Sequence, residues 1–256
     1  MTGSDPSNPL WSVAPAKFTL AAGEVHVWLV RADDAGLCIA CCENLLATAE
    51  RERAARFKFE KDRRLYTVAH AALRSLLAGY LNVAPADLEF ESGRHGKPRL
   101  APAFTKDRLE FNLSHSHEVA LIAVTREKEI GVDVERVRED FAFVEVAERY
   151  FTAGELSAIR ALPQDLQRRA FYQCWTSKEA FLKAKGVGLS GELDEVEIVL
   201  PGEGPVQVKS TLPQWSLREL NPRAGYVGAV VLEGNFHDLR CYPWRGPSNG
   251  SSHSHS

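Results

Sequence analysis

Two stretches of this chain, EVHVWLV at 24–30 and EIGVDVE at 129–135, superimpose at an offset of 105 residues. Val25, Val27 and Leu29 then fall on Ile130, Val132 and Val134. Apolar residues at every second position read as strands with one buried face. TAERERAAR at 48–56 falls on TAGELSAIR at 152–160 at an offset of 104, and Arg63-Arg64 falls on Arg168-Arg169 at 105 again. The helical segments LYTVAHAALRSLLAGY and AFYQCWTSKEAFLKAKG follow with one period and one length. Three blocks at a shared offset imply an α/β (α+β) pseudo-dimer of two similar halves, each a sheet with a long helix. The expected division is 1–125, 126–245 and a tail at 246–256.

Within that frame the pattern predicts a strand at 24–30, a helical region at 43–58, a helix at 62–82, then a loop leading to a strand at 119–124. The second half repeats the theme with a strand at 129–135, helices at 143–151, 153–161 and 165–185, and strands at 193–200 and 226–232. Pro163 limits the middle helix. Residues 1–12, rich in Ser, Asn and Pro, are expected to be loose, and the tail GPSNGSSHSHS to be disordered.

Composition removes several function classes. A net charge of −3 announces no nucleic acid partner, and no apolar run approaches the ~18 residues of a membrane span. MTGSDPSNPLWS lacks the basic and apolar segments of a signal peptide, so the expected place is the cytoplasm. The five cysteines, Cys38, Cys41, Cys42, Cys174 and Cys241, are expected to be reduced and mostly buried, because CIACC finds no second cluster to complete a zinc site.

The duplication also exposes an asymmetry. Asp133 and Glu135 stand where the first half has Trp28 and Val30, and Glu179 and Lys183 where it has Arg74 and Ala78. Charge occupies these scaffold positions as carboxylates only in the second half. Asp133 and Glu135 share a strand face with Gly131, which leaves room beside them. Trp175, Glu179 and Lys183 lie four apart on one helical stripe. Two strand carboxylates and a third from a facing helix make an oxygen-rich site suited to magnesium with phosphate. Lys183 would then neutralise that phosphate. Taken separately, an exposed acidic edge and a surface Glu–Lys pair explain the same residues. GRHGKPRL at 93–100 is a Gly-rich basic loop offering Lys97 and Arg99. FNLSHSHEVA at 111–120 places Ser114 and His115 before a strand. LSHS is not a nucleophile elbow, although a serine nucleophile with His115 as base is conceivable.

In this order and spacing, GRHGKPRL, FNLSHS, GVDVE and WTSKEAFLKAKGVGL closely resemble the 4′-phosphopantetheinyl transferases, specifically the large single-chain, surfactin-synthetase type, over about residues 20–235. The resemblance implies a pseudo-dimeric fold with coenzyme A between the halves. It implies transfer of phosphopantetheine from coenzyme A to a serine of an apo acyl or peptidyl carrier protein, releasing adenosine 3′,5′-bisphosphate. By the same resemblance, Asp133, Glu135 and Glu179 match magnesium ligands, and Lys183 matches a lysine on the pyrophosphate. His115, with Ser114 beside it, matches a 3′-phosphate contact, and Gly96, Lys97 and Pro98 match the segment holding the adenine nucleotide. Arg53, or its neighbour Arg56, matches a basic 3′-phosphate contact, whereas a second such contact falls on Glu50. The base for the carrier serine is Glu179, a metal-bound water or Glu155. Arg168 and Arg169, beside Phe171 and Tyr172, offer a docking surface for an acidic carrier, unless they pair within the protein. The chain is expected to act as a monomer. Two rival functions are a non-catalytic coenzyme A-binding protein and a metal-dependent phosphoesterase.

Overall fold

The computed structural model describes residues 11–15, 17–93, 96–187, 196–200, 207–210 and 214–248, with the backbone alone at 207–210. Most of the expected loose start and tail, Arg94 and His95 of the basic loop, and Gly188-Leu189 of the helix stop lie outside the described residues.

Alternating apolar positions build two sheets. In the first, β1 (Glu24–Arg31) lies between two strands of distant sequence. After β1 come α1 (Ile39–Leu45), α2 (Thr48–Ala55) and α3 (Glu60–Leu81). A short ribbon, β2 (Phe90–Ser92) with β3 (Pro98–Leu100), leads to β4 (Leu109–Ser116) and β5 (Val119–Arg126). The second half runs β6 (Ile130–Arg136), α4 (Phe143–Tyr150), α5 (Ala153–Ala161) and α6 (Gln164–Lys185). Then come the ribbon β7 (Val196–Val199) with β8 (Gln207–Ser210), and β9 (Trp215–Leu220), β10 (Tyr226–Glu233) and β11 (Asp238–Pro243). The sheet orders are β11-β1-β5-β4 and β6-β10-β9.

The sheets face each other, and each carries its own 22-residue helix outside. Val25, Val27 and Leu29 share the middle core with Ile130, Val132 and Val134, the pairs that the offset superimposes. The other face of β1, with Trp28 and Val30, packs with Leu73, Leu76 and Leu77 of α3. On the second sheet Ala229, Val231 and Leu217 pack with Phe171, Phe181 and Leu182 of α6. The result is helix, sheet, sheet, helix: two similar units back to back. Alternation fixes which residues meet the partner half and which meet the helix.

Several expectations change. FNLSHS is strand β4, not a loop: its Asn and Ser residues resemble turn chemistry, but they alternate with Phe111, Leu113 and His115, and the strand pairs with β5 from Ser116 back to Leu109. The helical region 43–58 breaks before Ala47, whose N–H donates to Glu50 Oε2 at 2.8 Å and opens α2. β11 pairs parallel to β1, so the division 126–245 does not follow the sheets at its far end. Trp11 is buried and donates its indole N–H to Asn221 O at 3.0 Å, and Cys38 N–H donates to Pro247 O at 2.9 Å, so these two positions within the expected loose ends are tied to the fold. Cys38 and Cys41 are joined in a disulfide rather than reduced, their Cα atoms 5.2 Å apart across one turn of α1. Cys42, Cys174 and Cys241 are free and buried.

Candidate active site

β6 and α6 converge because Gly131 allows it. A Cβ at Gly131 would lie 2.0 Å from the Ala180 carbonyl oxygen and 2.4 Å from Ala184 N, so helix backbone rests directly on the strand. The room expected beside the carboxylates is therefore filled by α6. That close approach brings Glu179 and Lys183 onto the face that Asp133 and Glu135 share.

Asp133 is 3% exposed. Its Oδ1 accepts from Lys183 Nζ at 2.6 Å and from Ser114 Oγ at 2.7 Å, and Lys183 Nζ also donates to Ser114 Oγ at 2.9 Å. Glu135 Oε2 accepts from Ser116 Oγ at 2.8 Å. Burial, reinforced by the Asp133 charge, pushes Glu135 up to about 7, and the same two causes push Glu179 up to about 7. Asp133 Oδ2 and Glu179 Oε1 are buried with no hydrogen-bond partner. Repulsion among the acids is thus met by one ammonium and two serine hydroxyls, which leaves surplus negative charge and two orphaned oxygens. Oxygen donors in this condition fit a hard divalent cation. Among the described residues no three His, Cys, Asp or Glu side chains converge tightly enough to grip one as they stand.

The raised acids carry a stability consequence. Glu135 titrates at about 7 folded against an ordinary 4.5. The folded state therefore keeps a proton that the unfolded chain releases, and stability falls as pH rises across that window. In metal-free protein, Glu135→Gln is expected to raise Tm by a few degrees at pH 8 and to leave it unchanged near pH 4.5. Thermal unfolding at the two pH values measures this, and a lower Tm at pH 8 would refute it.

A second, basic cluster lies on the other side of β4. Consecutive strand residues point to opposite faces, so Ser114 turns to Asp133 while His115 stays exposed on the α3 side, and the two do not act side by side. Although the residue reaches solvent, protein packed around the ring partly desolvates it and lowers the His115 pKa, and the charge of Lys183 lowers it further. His70 is beside it, pushed down to about 4 by burial. Its Nδ1 donates to Tyr66 O at 3.0 Å, its ring stacks on Tyr66 at 3.8 Å, and Arg53 lies over Tyr66 at 5.5 Å. The sequence reading missed His70. The offset held the signal, since His70 and Arg74 on α3 are the counterparts of Trp175 and Glu179 on α6.

Other expected residues serve the scaffold. Glu50 accepts from Arg74 Nε at 2.6 Å, and Arg74, 3% exposed, also donates to Pro85 O and Leu88 O. This fastens α2 to α3 and sets Arg53 one turn on, while Arg56 caps the helix end. Gly96 turns its loop at φ 81° and Pro98 opens β3, but Lys97 between them is committed elsewhere. Its side chain is 8% exposed, with Nζ bonded to Glu129 Oε2 at 2.9 Å, Ile130 O at 3.2 Å and Ala184 O at 3.4 Å. Glu155 is no exposed base. It is 1% exposed, 3.0 Å from Lys178 Nζ, and accepts from Ile198 N at 2.7 Å and Thr152 N at 2.8 Å. The arginine docking surface is likewise engaged inside the protein. Arg168 donates to Arg138 O and Phe141 O at 2.8 Å, and Arg169 to Asn221 Oδ1 at 2.8 Å. Trp175 is half-buried, edge-on to Tyr150 at 5.7 Å, and helps line a cavity of about 250 Å³ with Glu135, Phe141 and Tyr172.

No helix among the described residues is long and apolar enough to cross a membrane. A family model described as the 4′-phosphopantetheinyl transferase superfamily matches residues 129–231, and one described as 4′-phosphopantetheinyl transferase, N-terminal, matches 37–127. The chain is 38% identical to 4′-phosphopantetheinyl transferase HetI of Nostoc sp. over 224 residues, covering 88% of this chain and 94% of that protein. It is 28% identical over 166 residues to 4′-phosphopantetheinyl transferase Sfp of Bacillus subtilis, covering 65% and 71%. It is also similar, at 31% over 161 residues and 59% and 52% coverage, to the human L-aminoadipate-semialdehyde dehydrogenase-phosphopantetheinyl transferase.

Proposed function

As a member of the 4′-phosphopantetheinyl transferase superfamily, the chain carries phosphopantetheine to carrier proteins, and we propose that it takes that group from coenzyme A at the meeting of β6 and α6. The observation that carries this reading is the convergence of Asp133, Glu135, Glu179 and Lys183 from a strand and a helix far apart in sequence.

Asp133, Glu135 and Glu179 would hold magnesium, whose bound charge would offset the negative charge gathering on the departing adenosine 3′,5′-bisphosphate. Lys183, 30% exposed and already among these oxygens, would hold a diphosphate oxygen through a charge-assisted hydrogen bond. The attacking carrier serine must lose its proton. Glu179 stands among these oxygens to take it, directly or through a water on the cation, the second route being favoured because a carboxylate that ligates a cation is a weaker base than the same group alone. The serine oxygen then bonds to the β-phosphorus of coenzyme A as the bond to the bisphosphate oxygen breaks. His115, with Arg53 and His70 beside it, would face the 3′-phosphate. Gly96 and Pro98 would give the adenine nucleotide a backbone surface, since the Lys97 ammonium is spent on the seam. The same reading has the enzyme act as a monomer in the cytoplasm, where its donor is found.

The test incubates the protein with coenzyme A, magnesium and an apo carrier. The expected result is a carrier heavier by one phosphopantetheine. Bisphosphate release without a carrier would favour a phosphoesterase, and coenzyme A binding without turnover a binding protein. His115→Ala is expected to raise the KM for coenzyme A about tenfold with little change in kcat, because that contact is remote from the reacting phosphorus. The penalty should shrink with 3′-dephospho-coenzyme A. Steady-state kinetics with both donors decides this, and an equal penalty with each would place His115 elsewhere.

A further inference from the structure

The two sheets meet at β4 and β6 through side chains rather than a backbone ladder. Every second residue of β4 faces β6. Asn112 Oδ1 accepts from Val132 N at 2.9 Å, Ser114 Oγ donates to Asp133 Oδ1 at 2.7 Å, and Ser116 Oγ donates to Glu135 Oε2 at 2.8 Å. Two of these three rungs end on a carboxylate of the site.

Ser116 is 8% exposed, and its hydroxyl has little choice of direction. Its oxygen accepts from Arg136 N at 3.2 Å, which leaves its single proton for Glu135 at 2.8 Å in preference to His117 Nδ1 at 3.4 Å. One oxygen of Glu135 is thereby held. Asp133 follows the same rule: Ser114 and Lys183 both take Oδ1, and Oδ2 stays buried and unpartnered. The first half thus grips one oxygen of each strand carboxylate of the second half, and on Asp133 the other is left unclaimed. Unclaimed oxygens in fixed positions are what a hard cation requires of its ligands.

We propose that Ser116 is a positioning residue: by holding Glu135 Oε2 from across the seam it fixes the carboxylate for a divalent cation shared with Asp133 and Glu179. This rests on the cation assignment proposed above. Partners that orient a metal-binding side chain typically matter about 10–100-fold for affinity.

The experiment titrates the full-length protein, without coenzyme A, with Mn2+ as the probe, reading free Mn2+ by electron paramagnetic resonance, and records Tm for each variant. Ser116→Ala is expected to weaken Mn2+ binding about 10–100-fold, and Ser116→Thr, which keeps the hydroxyl, to restore it to within a few-fold. Unchanged Mn2+ affinity in Ser116→Ala, whatever its Tm, would show that the serine only stitches the sheets and overturns the inference alone. Equal loss in Ser116→Thr would overturn it too, by showing that space rather than the hydroxyl matters. A wild-type protein that binds no Mn2+ would overturn the cation assignment and the inference with it.

Discussion

Asp133→Ala is expected to lower phosphopantetheine transfer at least about a thousandfold while leaving the protein folded, because on the proposed cation site several kcal/mol of transition-state stabilisation would pass through this carboxylate. It is the most enclosed of the three acids at 3% exposure, and Ser114 and Lys183 both converge on its Oδ1. On that proposal, deleting it would remove one cation ligand and one of the two hydrogen-bond partners of Lys183 Nζ. The fold should tolerate the change, since a site with three carboxylates and one ammonium has negative charge to spare, and Lys183 keeps Ser114 at 2.9 Å and the charge of Glu179 nearby. Carrier mass spectrometry at saturating magnesium, with thermal unfolding of the same sample, measures both parts. Transfer near the wild-type rate would sink the metal assignment.

Lys178→Ala should do the opposite, costing stability rather than chemistry. Lys178 and Glu155 are each 1% exposed and lie 3.0 Å apart, and the lysine also donates to Val196 O at 2.7 Å. Removing one partner of such a pair strands a charge in the interior, at a cost of about 3–5 kcal/mol. For a chain of this size that corresponds to a Tm lower by roughly 6–20 °C. Glu155→Gln supplies the complementary test, because it keeps the shape of a side chain that caps α5 and accepts from Ile198 N. Its kcat should stay near wild type in the folded protein. A kcat lowered by orders of magnitude at unchanged Tm would return Glu155 to the chemistry.

Much of this architecture was written in the offset of about 105 residues, and the reason is physical. A strand packed between a helix and a partner sheet must alternate, so Val25, Val27 and Leu29 repeat as Ile130, Val132 and Val134 because both sets line one core. The acid pair was legible for the same reason: once one face of β6 is assigned to that core, Asp133 and Glu135 can only face the helix. What the sequence hid depended on partners remote in the chain. Lys97 looks like a ligand-facing cation, and only the arrival of Glu129 and the end of α6 commits it. Ser116 looks like turn chemistry until β6 supplies its acceptor. The pairing of β11 with β1 follows from no local pattern, since DLRCYP is short and ends in proline.

That last strand sets an order of events. β1 is held by β5 on one side and by β11 on the other, and about a hundred residues of second half separate β5 from β11. On a ribosome, the first half therefore waits on the order of ten seconds with one edge of β1 uncovered. An uncovered edge offers a row of unsatisfied N–H and C=O groups to any neighbouring chain. A fragment ending after β5 keeps that edge open for good, so it should pair with copies of itself more readily than the whole chain. The two halves share a pattern but not independence in their making: the half made first is finished only when the last strand of the chain has been added to it.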